Sequence, residues 1–145
     1  RFGKDNFPFL LKDMDSEIEV LDDTLTVETA VTLSERVESI LHAHNYPTKT
    51  ATRAALFVEE TGLAVLDANK DTKNPVLIEL SLFFDSGSVL IILRDSGRLF
   101  NVTNPDQEIP GINGTVLNGI VSSLDEKAYL VTTGYNRNMI RFSQK

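Results

Sequence analysis

The stretch VLIELSLFFDSGSVLIILRDSG, residues 76–97, decides the fold of this chain. Its two apolar halves are separated by Asp85-Ser86-Gly87, which predicts a β-hairpin with strands over residues 76–84 and 89–93. Both faces of this hairpin are rather apolar, which favours a central position in a sheet. The second strand ends in another Asp-Ser-Gly at residues 95–97. The central question is whether this second break is an ordinary turn or the floor of a binding site.

Three elements are predicted before the hairpin. Over residues 16–25 apolar side chains alternate with acidic ones, as in a half-exposed strand at the edge of a sheet. Apolar spacing typical of a helix follows from residue 26 to about residue 45, where Asn45-Tyr46-Pro47 ends it. A second helix is predicted over about residues 50–67 as the central core helix.

After the hairpin, residues 101–114 are rich in Pro, Gly, Asn and Asp and form a loop long enough to be functional. A short helix over about residues 115–124 and a closing hairpin, with strands over 129–132 and 139–142, complete the chain. This order predicts an α+β fold with two layers, a mixed and mostly antiparallel sheet with its helices on one face. Residues 16–145 form one domain, and residues 1–15 are a linker or terminal segment.

Composition excludes several classes of function. The 145 residues contain 14 Lys and Arg against 21 Asp and Glu, and the net charge of −7 opposes binding to nucleic acid or to an anionic membrane surface. Without cysteine there is no disulfide, thiolate nucleophile or zinc knuckle. No apolar run approaches the roughly 20 residues that cross a bilayer. We expect a cytoplasmic chain. Because it begins with Arg1, we also expect a piece of a longer protein, with the cytosolic part of a membrane protein as one setting.

The order of motifs resembles a known family. The segment ALFVEETGLAVLDAN, residues 55–69, precedes the hairpin, and LRDSGRLFN, residues 93–101, leads from it into a glycine-bearing loop and a helix. This order resembles the histidine-kinase-like ATPase family, often called GHKL, in the branch of anti-sigma-factor serine kinases and transporter-attached regulatory ATPase domains. The resemblance implies a Bergerat-type ATP-binding fold with ATP or ADP as its ligand.

In that family a helical acid is followed four residues later by Asn, whose oxygen holds Mg²⁺ between the phosphates. By resemblance Glu60 is the catalytic acid or base, but Ala64 stands at the Asn position and offers the metal no oxygen. Starting from Glu59 places Leu63 there instead. We therefore assign no residue to a metal. If the chain is active, the resemblance implies a Mg-ATP-dependent serine kinase or ATPase. The alternative for Glu59 and Glu60 is that they are ordinary helix charges, either solvated or in the N-terminal half of the helix.

The nucleotide motifs of the family fall later in the chain. The resemblance assigns the base to the Asp-x-Gly pair Asp95 and Gly97, followed by Phe100 and Asn101. The alternative for Asp95-Ser96-Gly97 is a plain turn, because Asp and Gly are common turn residues. The residues that the resemblance places near the phosphates, before the N-terminus of a helix, are Gly111, Gly114 and Thr115.

Two functional hypotheses follow from these motifs. The first is a divergent ATP- or ADP-binding regulatory domain within a larger bacterial signalling or transport protein. The second is a nucleotide-free pseudo-ATPase that serves as a protein interaction or dimerisation module, which Ala64 favours. Both imply a protein partner and leave a homodimer open, and neither involves nucleic acid or direct membrane contact by this segment.

Overall fold

The computed structural model describes residues 16–84, 87–98, 120, 127–132 and 135–143, with residues 16–23 and 127–132 described by their backbone alone. Within these ranges the elements in chain order are β1 (Ser16–Thr24), α1 (Val27–Ala43), α2 (Thr48–Ala68), β2 (Leu77–Phe84), β3 (Ser88–Asp95), β4 (Lys127–Thr132) and β5 (Tyr135–Ser143). The predicted segment 1–15, the loop 101–114 and the helix 115–124, except for the helical residue Ile120, lie outside this description.

Local chemistry explains the start of α1 and the break between the two helices. Thr26 caps α1, because its hydroxyl accepts a hydrogen bond from the backbone N–H of Thr29 at 3.0 Å. Beyond the end of α1, Asn45 adopts a positive φ of 65°, a conformation that asparagine tolerates better than most residues. Helix α2 begins directly after Pro47, two residues earlier than predicted.

Helices α1 and α2 pack closely against each other at Gly62. A Cβ atom at this position would lie 3.1 Å from the Cβ of Ala30, so the two helix backbones approach at a pair of small residues. Glycine in a helix interior costs about 1 kcal/mol relative to alanine, and the close contact explains why α2 contains one. Nearby, Ser34 of α1 donates a hydrogen bond to Glu59 of α2 at 3.3 Å.

The five described strands form one sheet in the order β1-β2-β3-β5-β4, and each pairing among them is antiparallel. The edge position predicted for the acidic strand β1 and the interior position predicted for the central hairpin are both confirmed. Strand β3 continues two residues past its predicted end at Leu93, so that Asp95 pairs with Ile78 on one side and Asn136 on the other. This extension makes Asp95 the last residue of an interior strand.

The predicted two-layer α+β class is confirmed. One hydrophobic core combines both helices with alternate residues of the interior strands, which shows that the helices cover one face of the sheet. The strand residues in this core are Ile78, Leu80, Leu82, Phe84, Val89, Ile91, Leu93, Ile140 and Phe142, and Val76 joins it from just before β2. The opposite face is also buried in the interior strands, at Leu90, Ile92 and Met139. Among the described helices, neither has the length and apolar character to span a membrane.

Candidate functional site

The candidate site lies at the end of strand β3, where the sheet meets the end of α2. Asp95 closes β3 on the face that the helices cover, in the same row as Ile78 and Asn136. The rows further along this face are occupied by apolar pairs such as Leu80 with Leu93. Asp95 therefore places a carboxyl group at the polar end of an apolar face, and only 2% of the residue is exposed.

One oxygen of Asp95 carries the hydrogen bonds within the described part of the chain. The backbone N–H of Gly97 donates to Oδ1 at 2.9 Å, and Nδ2 of Asn136 donates to the same oxygen at 3.0 Å. Among the described residues, no hydrogen bond reaches Oδ2. Because a carboxylate oxygen accepts about two hydrogen bonds, Oδ2 retains its capacity for an external donor.

Burial dominates the electrostatics of Asp95. Desolvation raises the pKa of its carboxyl group from 3.8 to about 6, while the hydrogen bonds from Asn136 and Gly97 act in the opposite direction. Within the described ranges, Asp95 forms no ion pair. Its charge at neutral pH is thus supported by neutral donors, and the group titrates closer to neutrality than an ordinary aspartate.

The segment from Asp95 to Arg98 is a firmly bonded turn. The bond from Gly97 to the Asp95 side chain is the local pattern typical of aspartate in turns. Ser96 continues the sheet pairing with Leu77 through two bonds: its N–H donates to the Leu77 carbonyl at 3.0 Å, and its hydroxyl accepts from the Leu77 N–H at 2.8 Å. The turn alternative considered for Asp-Ser-Gly is therefore part of the observed geometry, and it leaves Oδ2 of Asp95 without a described partner.

Asn69, at the end of α2, holds the same turn from the helix side. Its Nδ2 donates to the carbonyl of Val65 at 2.8 Å, and its Oδ1 accepts from the N–H of Arg98 at 3.0 Å. A Cβ atom at Gly97 would lie 2.5 Å from Nδ2 of Asn69. The glycine is required here for the close approach of a side chain of the protein itself.

The catalytic candidate Glu60 is buried on α2, with 7% of the residue exposed. Glu60 is therefore not a solvated helix charge, and its catalytic role stays a prediction. Ala64, one turn further on, belongs to the hydrophobic core, so this position faces packed side chains. Over the described residues, no group of three His, Asp or Glu side chains is placed to hold a metal. The residues present at the expected Mg²⁺ position do not fit the ion.

The remaining site candidates fall on parts of the chain that the structure does not describe. They are Phe100 and Asn101, expected near the base, and Gly111, Gly114 and Thr115, expected near the phosphates. These assignments stay predictions. Of the expected site residues, the described structure thus contains Glu60, Asp95 and Gly97, and it links Asp95 and Gly97 through one hydrogen bond.

The roles of Asn69 and Asn136 are not evident from the sequence alone. In the sequence Asn136 falls between the two predicted strands of the closing hairpin, and Asn69 is the last residue of the segment 55–69. For Asn69 a usable signal exists, since an asparagine directly after an apolar helix often bonds to the helix end. For Asn136 the signal would be its register against Asp95, and β-sheet register between distant segments is not readable from local patterns.

Comparison with known proteins supports the fold. No family model and no curated protein matches the chain. A solved structure that matches is the crystal structure of the RsbU and RsbW domains of Rv1364c from Mycobacterium tuberculosis, with a TM-score of 0.57 at 12% sequence identity. The match covers 86% of this chain and 32% of that one, so the chain spans about a third of the length of the matched protein. At this identity the likeness shows the fold alone: the chain is an α+β domain that resembles RsbW-like domains.

Proposed function

We propose that this chain is a nucleotide-binding regulatory domain of the histidine-kinase-like ATPase fold, which holds the adenine of ATP or ADP through Asp95. Its setting is a larger bacterial signalling or transport protein, where nucleotide occupancy changes the contact with a protein partner. The motif order in the sequence and the likeness to the RsbU and RsbW domains support this proposal.

The observation that carries the proposal is the state of Asp95. A buried carboxyl group whose Oδ1 accepts two hydrogen bonds, and whose Oδ2 accepts none from a described residue, matches what an exocyclic amine requires. Oδ2 therefore keeps the capacity to accept a hydrogen bond from an exocyclic amine of a ligand.

We do not extend the proposal to phosphoryl transfer. Such enzymes depend on Mg²⁺ to neutralise charge that develops in the transition state. Ala64 offers no oxygen, and an asparagine introduced there would enter the hydrophobic core. Glu60 is therefore not assigned a catalytic task in this proposal, and nucleotide binding is expected without a requirement for Mg²⁺.

A second function is favoured by a different observation. The Asn69 side chain occupies the space next to Gly97 that a Cβ would need, so the absence of a side chain at Gly97 serves packing within the protein. This supports the alternative of a nucleotide-free pseudo-ATPase that acts as a protein interaction or dimerisation module.

Thermal unfolding with nucleotide separates the two functions. At 100 times the dissociation constant, a ligand stabilises the folded state by about 2.7 kcal/mol, which raises the melting temperature by several degrees in a domain of this size. We expect this rise with ADP or ATP, equal in Mg²⁺ and in EDTA, and its loss in Asp95→Asn.

Asp67→Asn is the matched control, because Asp67 is an exposed aspartate on α2 whose side chain is 44% accessible. It should keep the full response to nucleotide. If the wild-type chain shows no rise at millimolar ADP and ATP, the interaction module is the remaining function.

A further inference from the structure

We propose that Asn136 determines the base specificity of this site, because its amide holds Asp95 as a hydrogen-bond acceptor and thereby selects a purine with an amino group at position 6 over one with a carbonyl. This inference rests on the proposed function and adds to it a residue on a distant strand. Its basis is the geometry around one nitrogen atom.

The orientation of the Asn136 amide is fixed by its surroundings. Its Nδ2 lies 3.0 Å from Oδ1 of Asp95, 2.9 Å from the carbonyl oxygen of Arg98 and 3.3 Å from that of Gly97. All three neighbours are acceptors, so a rotated amide would face oxygen with oxygen. The two hydrogens of the amide match the two shorter contacts, and the third is a weaker shared one.

This arrangement constrains the proton of Asp95. Oδ1 already accepts from Asn136 and from the Gly97 N–H, so a proton on the carboxyl group belongs on Oδ2. Both donors also favour the ionised form, against the opposing effect of burial. When the group is ionised, Oδ2 accepts a hydrogen bond from a 6-amino group. When it is protonated, Oδ2–H donates to a 6-oxo group instead.

Asn136 lies in a fixed position opposite the Asp95 carboxyl group. It is 1% exposed and lies directly across from Asp95 in the pairing of β3 with β5. The same nitrogen holds the Arg98 carbonyl, which fixes the amide to the turn as well as to the carboxyl group. Removing the amide therefore removes one donor to Oδ1 and should shift the charge equilibrium of Asp95 toward its neutral form.

ADP and IDP provide the test, since they differ only in the purine: amino against carbonyl at position 6, with the matching change at N1. Titration calorimetry at pH 5 to 8 should show that the wild-type chain prefers ADP by about tenfold or more at neutral pH, with the preference falling below pH 6. In Asn136→Leu the dissociation constant for ADP should rise about tenfold while that for IDP stays unchanged or falls. Asn136→Thr, which keeps a donor, should retain part of the preference.

Asn138→Leu is the matched control, because Asn138 is a buried asparagine two residues along the same strand and faces Leu93 rather than Asp95. It should leave the ratio of ADP to IDP affinity unchanged. A loss of affinity by the same factor for both ligands in Asn136→Leu would overturn the inference, because a structural role weakens both equally.

A ligand-free readout distinguishes failure of this inference from failure of the proposed function. Carboxyl carbon NMR of Asp95 should show a higher pKa in Asn136→Leu than in the wild-type chain, and an unchanged pKa would overturn the role of Asn136. If the wild-type chain binds neither nucleotide, the proposed function and the base specificity have both failed. A higher pKa of Asp95 in Asn136→Leu would still show that Asn136 stabilises the ionised carboxyl group.

Discussion

Arg94 and Asp95 are consecutive residues of one strand, and they place opposite charges on opposite faces of the same sheet. Both are buried, with 3% and 2% of the residue exposed. Arg94 has a charged partner: its Nη1 lies 3.3 Å from Oε1 of Glu79 and also donates to the Ser81 hydroxyl at 2.7 Å. Asp95 faces the helices, and its described partners are neutral.

The two residues differ in how the cost of burying their charge is offset. At Arg94 the opposing carboxylate offsets the cost of desolvation, which is typical of a structural ion pair. At Asp95 that cost is only partly offset, and the raised pKa records the remainder. A carboxyl group whose desolvation is only partly offset gains from an additional hydrogen-bond donor, such as one on a ligand. The proposed site is therefore on the helix-covered face.

The largest expected effect comes from removing the buried ion pair between Arg94 and Glu79. Replacing Arg94 by Met removes the cation that lies 3.3 Å from the buried Glu79 carboxylate, and we expect the free energy of unfolding to fall by about 3 to 5 kcal/mol. The double variant Arg94→Met with Glu79→Leu should recover most of this loss, because both desolvation costs are removed together. Urea denaturation measures both. If the double variant loses as much free energy of unfolding as the two single variants combined, the two residues contribute independently and the ion pair does not stabilise the fold.

The next effect has the opposite sign and is specific to the other face. Asp95→Asn removes a charge that burial disfavours, so the chain should become more stable at neutral pH. A shift from 3.8 to about 6, at about 1.4 kcal/mol per pKa unit, sets an upper bound of about 3 kcal/mol for the gain.

The stability gain of Asp95→Asn should depend on pH. Between pH 3.8 and about 6 the unfolded chain has lost the proton of Asp95 while the folded chain still retains it. This group therefore stabilises the folded state fully below pH 3.8, and the contribution is lost as pH rises through about 6. The advantage of Asp95→Asn should accordingly be small at pH 4 and complete above pH 7. An advantage that does not change with pH would mean that the ionisation of Asp95 is not its source.

The smallest expected effect on the free energy of unfolding comes from Gly97, in the turn from Asp95 to Arg98. Gly97→Ala places a Cβ atom 2.5 Å from Nδ2 of Asn69, so Asn69 must give up its bond to Val65 or to Arg98. We expect a loss of about 1 to 2 kcal/mol in the free energy of unfolding. The same substitution in an Asn69→Ala background should cost less, because the space is then open. Equal costs in both backgrounds would place the strain elsewhere.

Local patterns were sufficient to predict the order of the described elements, although β5 begins at Tyr135, four residues before its predicted start. Alternating residues predicted the central hairpin and the acidic edge strand, and helical spacing predicted α1 and α2 to within about two residues of their observed bounds. The end of β3 was placed too early, because Arg94 and Asp95 are charged and interrupt the apolar run. Their burial depends on partners from β2 and β5, which no local pattern reveals.

The candidate site was predictable only in part. Asp95 and Gly97 were identified from their motif, but their partners were not, because Asn69 and Asn136 lie 26 residues before and 41 residues after Asp95. The burial of Glu60 was missed for a related reason. A glutamate beside another glutamate on a helix is typical of a solvated face, and only the packing of α2 against the rest of the core places one of the two inside.

The side chain of Asn69 has one further consequence, which concerns transmission of a signal. It bonds the last turn of α2 to the backbone that leaves strand β3, through Val65 on one side and Arg98 on the other. A displacement of that backbone must either break one of these bonds or carry the helix end with it. Binding at the proposed site at the end of β3 would therefore be transmitted to the helical layer through the Asn69 side chain.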